Sequence, residues 1–483
     1  MILKTKLENF YKDILSRKIQ IIFFTIFFFI SSILSILKIK NFGITYYDFG
    51  YYLDIINKIE LDKFNFSTYK INNIELNNHL SFVLIIFSAI IKKLSLNSLI
   101  GLSMINSLVI CSCVFFFKKN NYLAIIAYCL FPVTWFNILN GFRIDVLCLP
   151  IIFGIYKSNN KSDLIFLFLS LFLILIKYYF ILIVVGFLLH NLILNKKFNF
   201  SNPIKILILF IILYTFFYIN INYEENLIKQ RFLFNSDQEN IIEIIKSKLT
   251  NIHLYILLLV IFGYFYFSNI YNKKNIIFIP ILIFFIMHPY NNNLVKYYYH
   301  YTLPIIPIIM LIYDEYLLKK KEKYHLNNKL IIAYLVSFHI VFSPSILSIM
   351  FWKKINNFYF YENYIFKNVN SLSVFNLKKI LDENRSIKNI SIENSMVINN
   401  MFQGYQIKIF PEYQFKNNIN ADLIILRNKE PYFLGDKNKC NNIDIICGNE
   451  SFLFYYINLK EKIIKKNYHI KYKDENLIIY IKN

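Results

Sequence analysis

Acidic residues, glycine, proline and cysteine are all scarce in this chain: 30 Asp and Glu stand against 53 Lys and Arg, and 483 residues hold only 10 Gly, 10 Pro and 6 Cys. The cysteines form no CxxC pair and share no ligand spacing with histidine, which argues against structural zinc. The shortage of Gly and Pro beside abundant Ile, Asn, Lys, Phe and Tyr is the mark of an A/T-rich genome, so Asn and Lys counts carry less meaning than usual. Small residues of a cleavage site are missing after the first apolar run, 21–37. That run is also too long for a cleaved signal and is expected to stay as an anchor.

What is abundant sets the class. Hydrophobic residues make up 56% of the chain and aromatics 19%, with 50 Phe and 38 Tyr, and the mean hydropathy is +0.43. This is a membrane composition. A net charge of +23 suits nucleic acid, anionic lipid or a phosphorylated substrate, but its commonest origin is orientation by cytoplasmic Lys and Arg. No soluble module interleaves aromatic with basic residues, so no nucleic-acid partner is expected.

Apolar runs at 21–37, 96–117, 122–139, 144–156, 164–176, 178–194, 204–221, 252–270, 276–287, 301–318 and 330–351 give about eleven spans, several shorter than the ~20 residues of a perpendicular helix. A further run at 80–91 ends in Lys92-Lys93 and reads as an interfacial helix. Counted so, it leaves Lys118-Lys119, Lys157 with Lys161, Lys196-Lys197, Lys273-Lys274 and Lys319-Lys320-Lys321 on the side of the basic N-terminus, which satisfies the positive-inside rule. The other face receives Asp48, His79, Arg143 with Asp145, Lys177, and the loops 224–248 and 288–300.

Beyond Phe351 the composition turns polar with an α/β rhythm: helix at 372–383, strands at 390–398, 406–410 and 423–426, helix at 451–465, and a hairpin over 468–481 turning at 474–476. The expected fold is therefore a polytopic α-helical membrane domain, 1–351, followed by an extracytoplasmic α/β domain, 352–483. In an oxidising compartment Cys440 and Cys447 leave a local disulfide open. Cys111, Cys113, Cys129 and Cys148 lie in spans and read as packing residues.

The chemistry-bearing candidates gather on the outer face. Asp48, in Tyr46-Tyr47-Asp48-Phe49-Gly50, is either an N-cap for a helix over 51–59 or a carboxylate kept near the bilayer for a purpose; Asp54 competes for the same role. Arg143 and Asp145 sit at a mouth between spans, as a snorkelling Arg with a local ion pair or as part of a site. Lys177 occupies a turn at the membrane surface, again as a snorkelling residue or a ligand contact. His288, Lys296 and His300 share one tyrosine-rich loop; an aromatic belt explains its tyrosines but not its cations. His79 opens the interfacial helix, and His190 falls at the cytoplasmic end of its span without a role. Together, Arg143, Lys177, His288, Lys296 and His300 have the chemistry to hold a phosphate or diphosphate.

Several of these segments resemble, in order, the predicted membrane proteins grouped as the domain-of-unknown-function 2079 family. Tyr47-Asp48-Phe49-Gly50-Tyr51 is similar to that family's Tyr-Asp-Leu-Gly-Ile segment, and Asn78-His79-Leu80 to its His before an interfacial helix. Gly141-Phe142-Arg143-Ile144-Asp145 with Pro150 resembles its aromatic-x-x-acid segment. Leu175-Ile176-Lys177 is similar to its Lys-Glu-Asp turn, with Tyr178 and Tyr179 where the family has acids, and Tyr299-His300-Tyr301 with Pro304 resembles a late Tyr-His-Tyr. Asn394 to Val397 and Ala421 to Leu426 are similar to two outer-domain strands. That family is similar in layout to GT-C glycosyltransferases, which carry an essential Asp in the first outer loop and use polyprenyl-phosphate sugars. The resemblance implies that Asp48 is catalytic and Lys177 a phosphate contact.

The expectation is an inverting glycosyltransferase of the bacterial cytoplasmic membrane, N-terminus inside. Asp48 would be the base; Arg143, Lys177, His288, Lys296 and His300 would bind substrate, with His79 and Asp145 as secondary candidates. Its partners would be the bilayer, a polyprenyl-phosphate-linked sugar and a glycan, lipid or protein acceptor. No cofactor is required, although the outer-loop acids leave room for a divalent cation. The competing class is a transporter or flippase of a phosphorylated lipid or sugar, which should show charged or broken spans near the midplane and two-fold repeats; neither is legible. A third class is a non-catalytic scaffold whose tail binds a partner.

Overall fold

Long apolar runs in a membrane leave backbone N–H and C=O groups no partner but each other, and among the described residues each such run holds helix. A computed structural model describes residues 17–40, 52, 56, 81–119, 121–139, 141–158, 163–177, 180–195, 246, 249–265, 273–287, 302–324, 328–348, 371–393, 405–410, 421–428, 467–474 and 477–483. Among them α1 spans Lys18–Lys40, α2 Ser81–Lys93, α3 Ser98–Ser112, α4 Tyr122–Cys129, α5 Pro132–Leu139 and α6 Cys148–Ser158. Then come α7 Asp163–Ile176, α8 Ile181–Asn195, α9 Ile252–Phe265, α10 Ile279–Met287, α11 Ile305–Tyr324 and α12 Asn328–Phe342. Tighter 3-10 turns at Cys113–Phe116, Ile144–Leu147 and Lys273–Phe278 adjoin α3, α6 and α10.

The first helix is amphipathic in reverse. Gln20, Phe27, Ser31, Leu34 and Ser35 are buried, whereas Ile22, Ile26, Phe29 and Ile33 are 46–59% exposed. A helix that hides its polar side chains and shows isoleucine outward suits a hydrocarbon surround, not water. Ser35 and Ser103 hydroxyls meet at 2.5 Å, and Ser31 lies 3.5 Å from the Cys111 sulfur. Such small polar contacts tie apolar helices together at close range.

Among the described residues two helical stretches are long and apolar enough to cross a membrane, Lys18–Leu37 and Ser98–Phe116. A third arises if Tyr122–Cys129 and Pro132–Leu139 form one span, bent by 47° at the break. The expectation of one unbroken helix over 122–139 is thus corrected: Pro132 has no N–H to give, and the helix breaks just before it. The orphan carbonyls are satisfied all the same. Trp135 Nε1 donates to Cys129 O at 2.7 Å, and His339 Nδ1, from α12, meets Leu130 O at 2.6 Å.

The polar region beyond 370 forms helix α13, Ser371–Glu383, and strands β1 Asn389–Glu393, β2 Gln406–Phe410, β3 Leu423–Arg427, β4 Tyr468–Lys473 and β5 Leu477–Lys482. The sheet order is β2-β1-β3-β5-β4. Strand β1 runs parallel to both β2 and β3, whereas β5 is antiparallel to β3 and β4. Ile390, Ile392, Leu423, Ile425, Leu477 and Ile479 form a second hydrophobic cluster with Leu377, Ile380 and Leu381 of α13. Register is pinned by Asp422, whose Oδ2 accepts from the Lys388 and Asn389 amides at 2.9 Å each. Asp474 closes the β4–β5 hairpin through Leu477 N at 2.6 Å.

Candidate functional site

After α5 the chain must turn sharply, and Gly141 does so with φ of 84°, a conformation that costs glycine nothing. The turn delivers Phe142 into the interior, fully buried. Its ring meets Tyr52 edge-on at 5.4 Å and Phe87 of α2 edge-on at 5.7 Å. This aromatic clasp anchors the loop that follows. Arg143 comes next in extended conformation, half-buried, and its carbonyl accepts from Val146 N at 3.1 Å to begin the 3-10 turn.

Asp145 lies in that turn, buried, between the buried Ile144 and Val146. Lys177 directly follows the last residue of α7, where a cation also complements the helix C-terminus. Its carbonyl accepts from Phe180 N at 3.0 Å, closing a tight link to α8. Lys177 Nζ donates to Asp145 Oδ2 at 2.6 Å, with the lysine side chain 16% exposed and the aspartate 2%. Since α6 and α7 pack along each other, the ion pair ties the start of that helix pair to its end.

Of the residues expected to form the site, the structure places Arg143, Asp145 and Lys177 and brings the last two into contact. Asp145 pairs with a lysine 32 residues away, a partner that a local ion pair with Arg143 did not anticipate. Asp48, Asp54, His79, His288, Lys296 and His300 lie outside the described residues. Tyr52, four residues after Asp48, is described and touches Phe142, the residue before Arg143.

A second polar group gathers at the other end of the helices: its basic members are those expected together on the side of the N-terminus, but its acids, Asp314 and Glu315, are not singled out from sequence. Arg17 NH1 reaches Phe115 O at 3.4 Å, and Gln20 Nε2 donates to Phe117 O at 2.9 Å, so the start of α1 lies at the end of α3. Asp314 of α11 is buried and accepts from Asn121 Nδ2 at 2.6 Å and from Lys118 N at 3.3 Å. Tyr156 OH donates to Glu315 Oε1 at 2.7 Å, and Lys157 Nζ lies 5.4 Å from the centre of the Phe116 ring. Asp314 therefore sits against the N-terminus of α4, where a carboxylate is favoured. Its own donors explain its burial as structural. Adjacent acids inside the run 301–318 were the available signal. His339 was likewise visible as a polar residue in an apolar run; its Nε2 bonds the Ser345 hydroxyl.

Chemically, the Arg143–Asp145–Lys177 loop carries one net positive charge, two cations less one carboxylate, near an accessible lysine. That suits an anion more than a cation. Among the described residues no three His, Cys, Asp or Glu side chains come together as metal ligands. No family model, curated protein or solved structure matches the chain.

Proposed function

We propose that this chain is an integral-membrane glycosyltransferase of about eleven spans that moves a sugar from a polyprenyl-phosphate carrier to an acceptor hydroxyl on the outer face. The supporting observation is the contact of Tyr52 with Phe142, which joins the segment after Asp48 to the loop bearing Arg143 and Asp145. Four residues of chain reach at most about 14 Å, so Asp48 can serve the mouth at Lys177. Outside-in, the clustering of Arg17, Lys118 and Lys157 at the far end favours a cytoplasmic N-terminus, with the 352–483 region outside.

In this reading Asp48 takes the proton of the acceptor hydroxyl, and the freed oxygen attacks the anomeric carbon opposite the phosphate. The bond between that carbon and the phosphate oxygen breaks, and the carrier departs as polyprenyl phosphate. Arg143 and Lys177, with His288, Lys296 and His300 from the late loop, neutralise the charge that grows on the leaving phosphate. Asp145 and His79 support the cavity.

The bend between α4 and α5 favours a second reading, a transporter or flippase, because discontinuous spans are its hallmark. Such proteins leave the freed carbonyls to an ion or substrate. Here Trp135 and His339 already occupy them, which favours the enzyme. The discriminating experiment compares lipid-linked sugars and surface glycans in cells carrying wild type or Asp48→Asn at equal membrane abundance. The enzyme reading expects lost glycan and accumulated carrier-linked sugar; unchanged pools sink it.

A further inference from the structure

Lys177 does not stand at the mouth as a lone cation. Its ammonium is 2.6 Å from Asp145 Oδ2, with the carboxylate behind it: 2% exposed against 16% for the lysine. An arriving anion meets the ammonium first. The carboxylate is the more constrained partner, because Asp145 is itself buried in a 3-10 turn between the buried Ile144 and Val146. Lys177, on a flexible stem in a link between helices, is the partner able to move.

We infer that Asp145 determines the specificity of this mouth: it is an internal carboxylate that holds Lys177 when no ligand is bound and yields it only to a phosphate or diphosphate. The inference rests on the proposed carrier reading, since it takes Lys177 as a phosphate contact. A monoanionic carboxylate gains nothing by exchange, because Asp145 offers the same group already tethered at high effective concentration. A phosphate monoester or diphosphate, including the polyprenyl phosphate formed as the sugar's bond breaks, brings a further charge and more free acceptor oxygens, and Arg143, two residues before Asp145, adds a planar fork suited to them.

Replacing Asp145 by Asn has two opposed effects. It loosens the tether that positions Lys177, and it removes a like charge beside the incoming anion. Charge repulsion in a half-buried site is several times stronger than in water, whereas the tether restrains a single side chain. The removal of charge therefore dominates, and the variant binds anions more tightly.

The test uses the full chain in lipid nanodiscs, following the shift of its thermal unfolding midpoint with inorganic pyrophosphate and, separately, with acetate. Wild type should respond to pyrophosphate alone. Asp145→Asn should respond at about tenfold lower pyrophosphate and also to acetate, and Lys177→Gln to neither. Wild type that binds pyrophosphate while Asp145→Asn binds it no more tightly overturns the role of Asp145 and leaves the carrier reading standing. Absence of any pyrophosphate response in both overturns the two together. If Asp145→Asn does not fold, Lys177→Arg, which keeps both charges, carries the test: it should remain blind to acetate, and an acetate response contradicts the inference.

Discussion

His339 holds a carbonyl that can only accept, so its Nδ1 carries the proton and its Nε2 accepts from the Ser345 hydroxyl. Replacing it with Leu leaves the partly buried Leu130 O without that donor, a loss of about 1 kcal/mol. His339→Asn, which offers an amide N–H close to the position of Nδ1, should recover most of it. Thermal unfolding of the purified chain in detergent measures both; equal loss in the two variants would show that ring packing against Trp135, 6.2 Å away, matters more than the hydrogen bond. The sequence displayed His339 as an oddity in an apolar run, but its partner lies 209 residues away, beyond anything periodicity can connect. Asp145 and Lys177 were visible for the same reason, as ionisable residues beside apolar runs. Their pairing was not, because it depends on how α6 and α7 lie together.

Helical segments occur in every apolar run that falls among the described residues, since hydrophobicity alone forces intrachain hydrogen bonding there. The helix at Ser371–Glu383, strand β2 at Gln406–Phe410 and the turn at Asp474 also stood out, from local alternation and turn residues. The break between α4 and α5 did not. Hydropathy runs on unbroken through Pro132, and proline is tolerated in membrane helices, so its presence alone does not announce a bend. Close approach of elements was equally hidden. A Cβ on Gly186 of α8 would lie 2.2 Å from the Ile277 carbonyl oxygen in the turn before α10. Gly186→Ala must therefore push α8 away from that backbone, at a cost of about 1–3 kcal/mol. A lowered unfolding midpoint is the expected result, whereas an unchanged one would mean that α8 and the turn are not in such close contact.

At the scale of the molecule, the inverted amphipathy of α1 suits a hydrocarbon-facing surface, and Arg17, Lys118 and Lys157 gather at one end. The Asp145–Lys177 pair lies at the other end of α6 from Lys157. In the proposed function the chemistry would take place at that end, with Asp48 as its base. The most direct measurement reconstitutes the purified chain in liposomes with lipid-linked sugars and an acceptor-bearing envelope extract from its host, and follows release of free polyprenyl phosphate. Wild type should release it, Lys177→Gln should do so more slowly, and Asp48→Asn should release none above protein-free liposomes. Release by Asp48→Asn at the wild-type rate would contradict the assignment of Asp48 as the base.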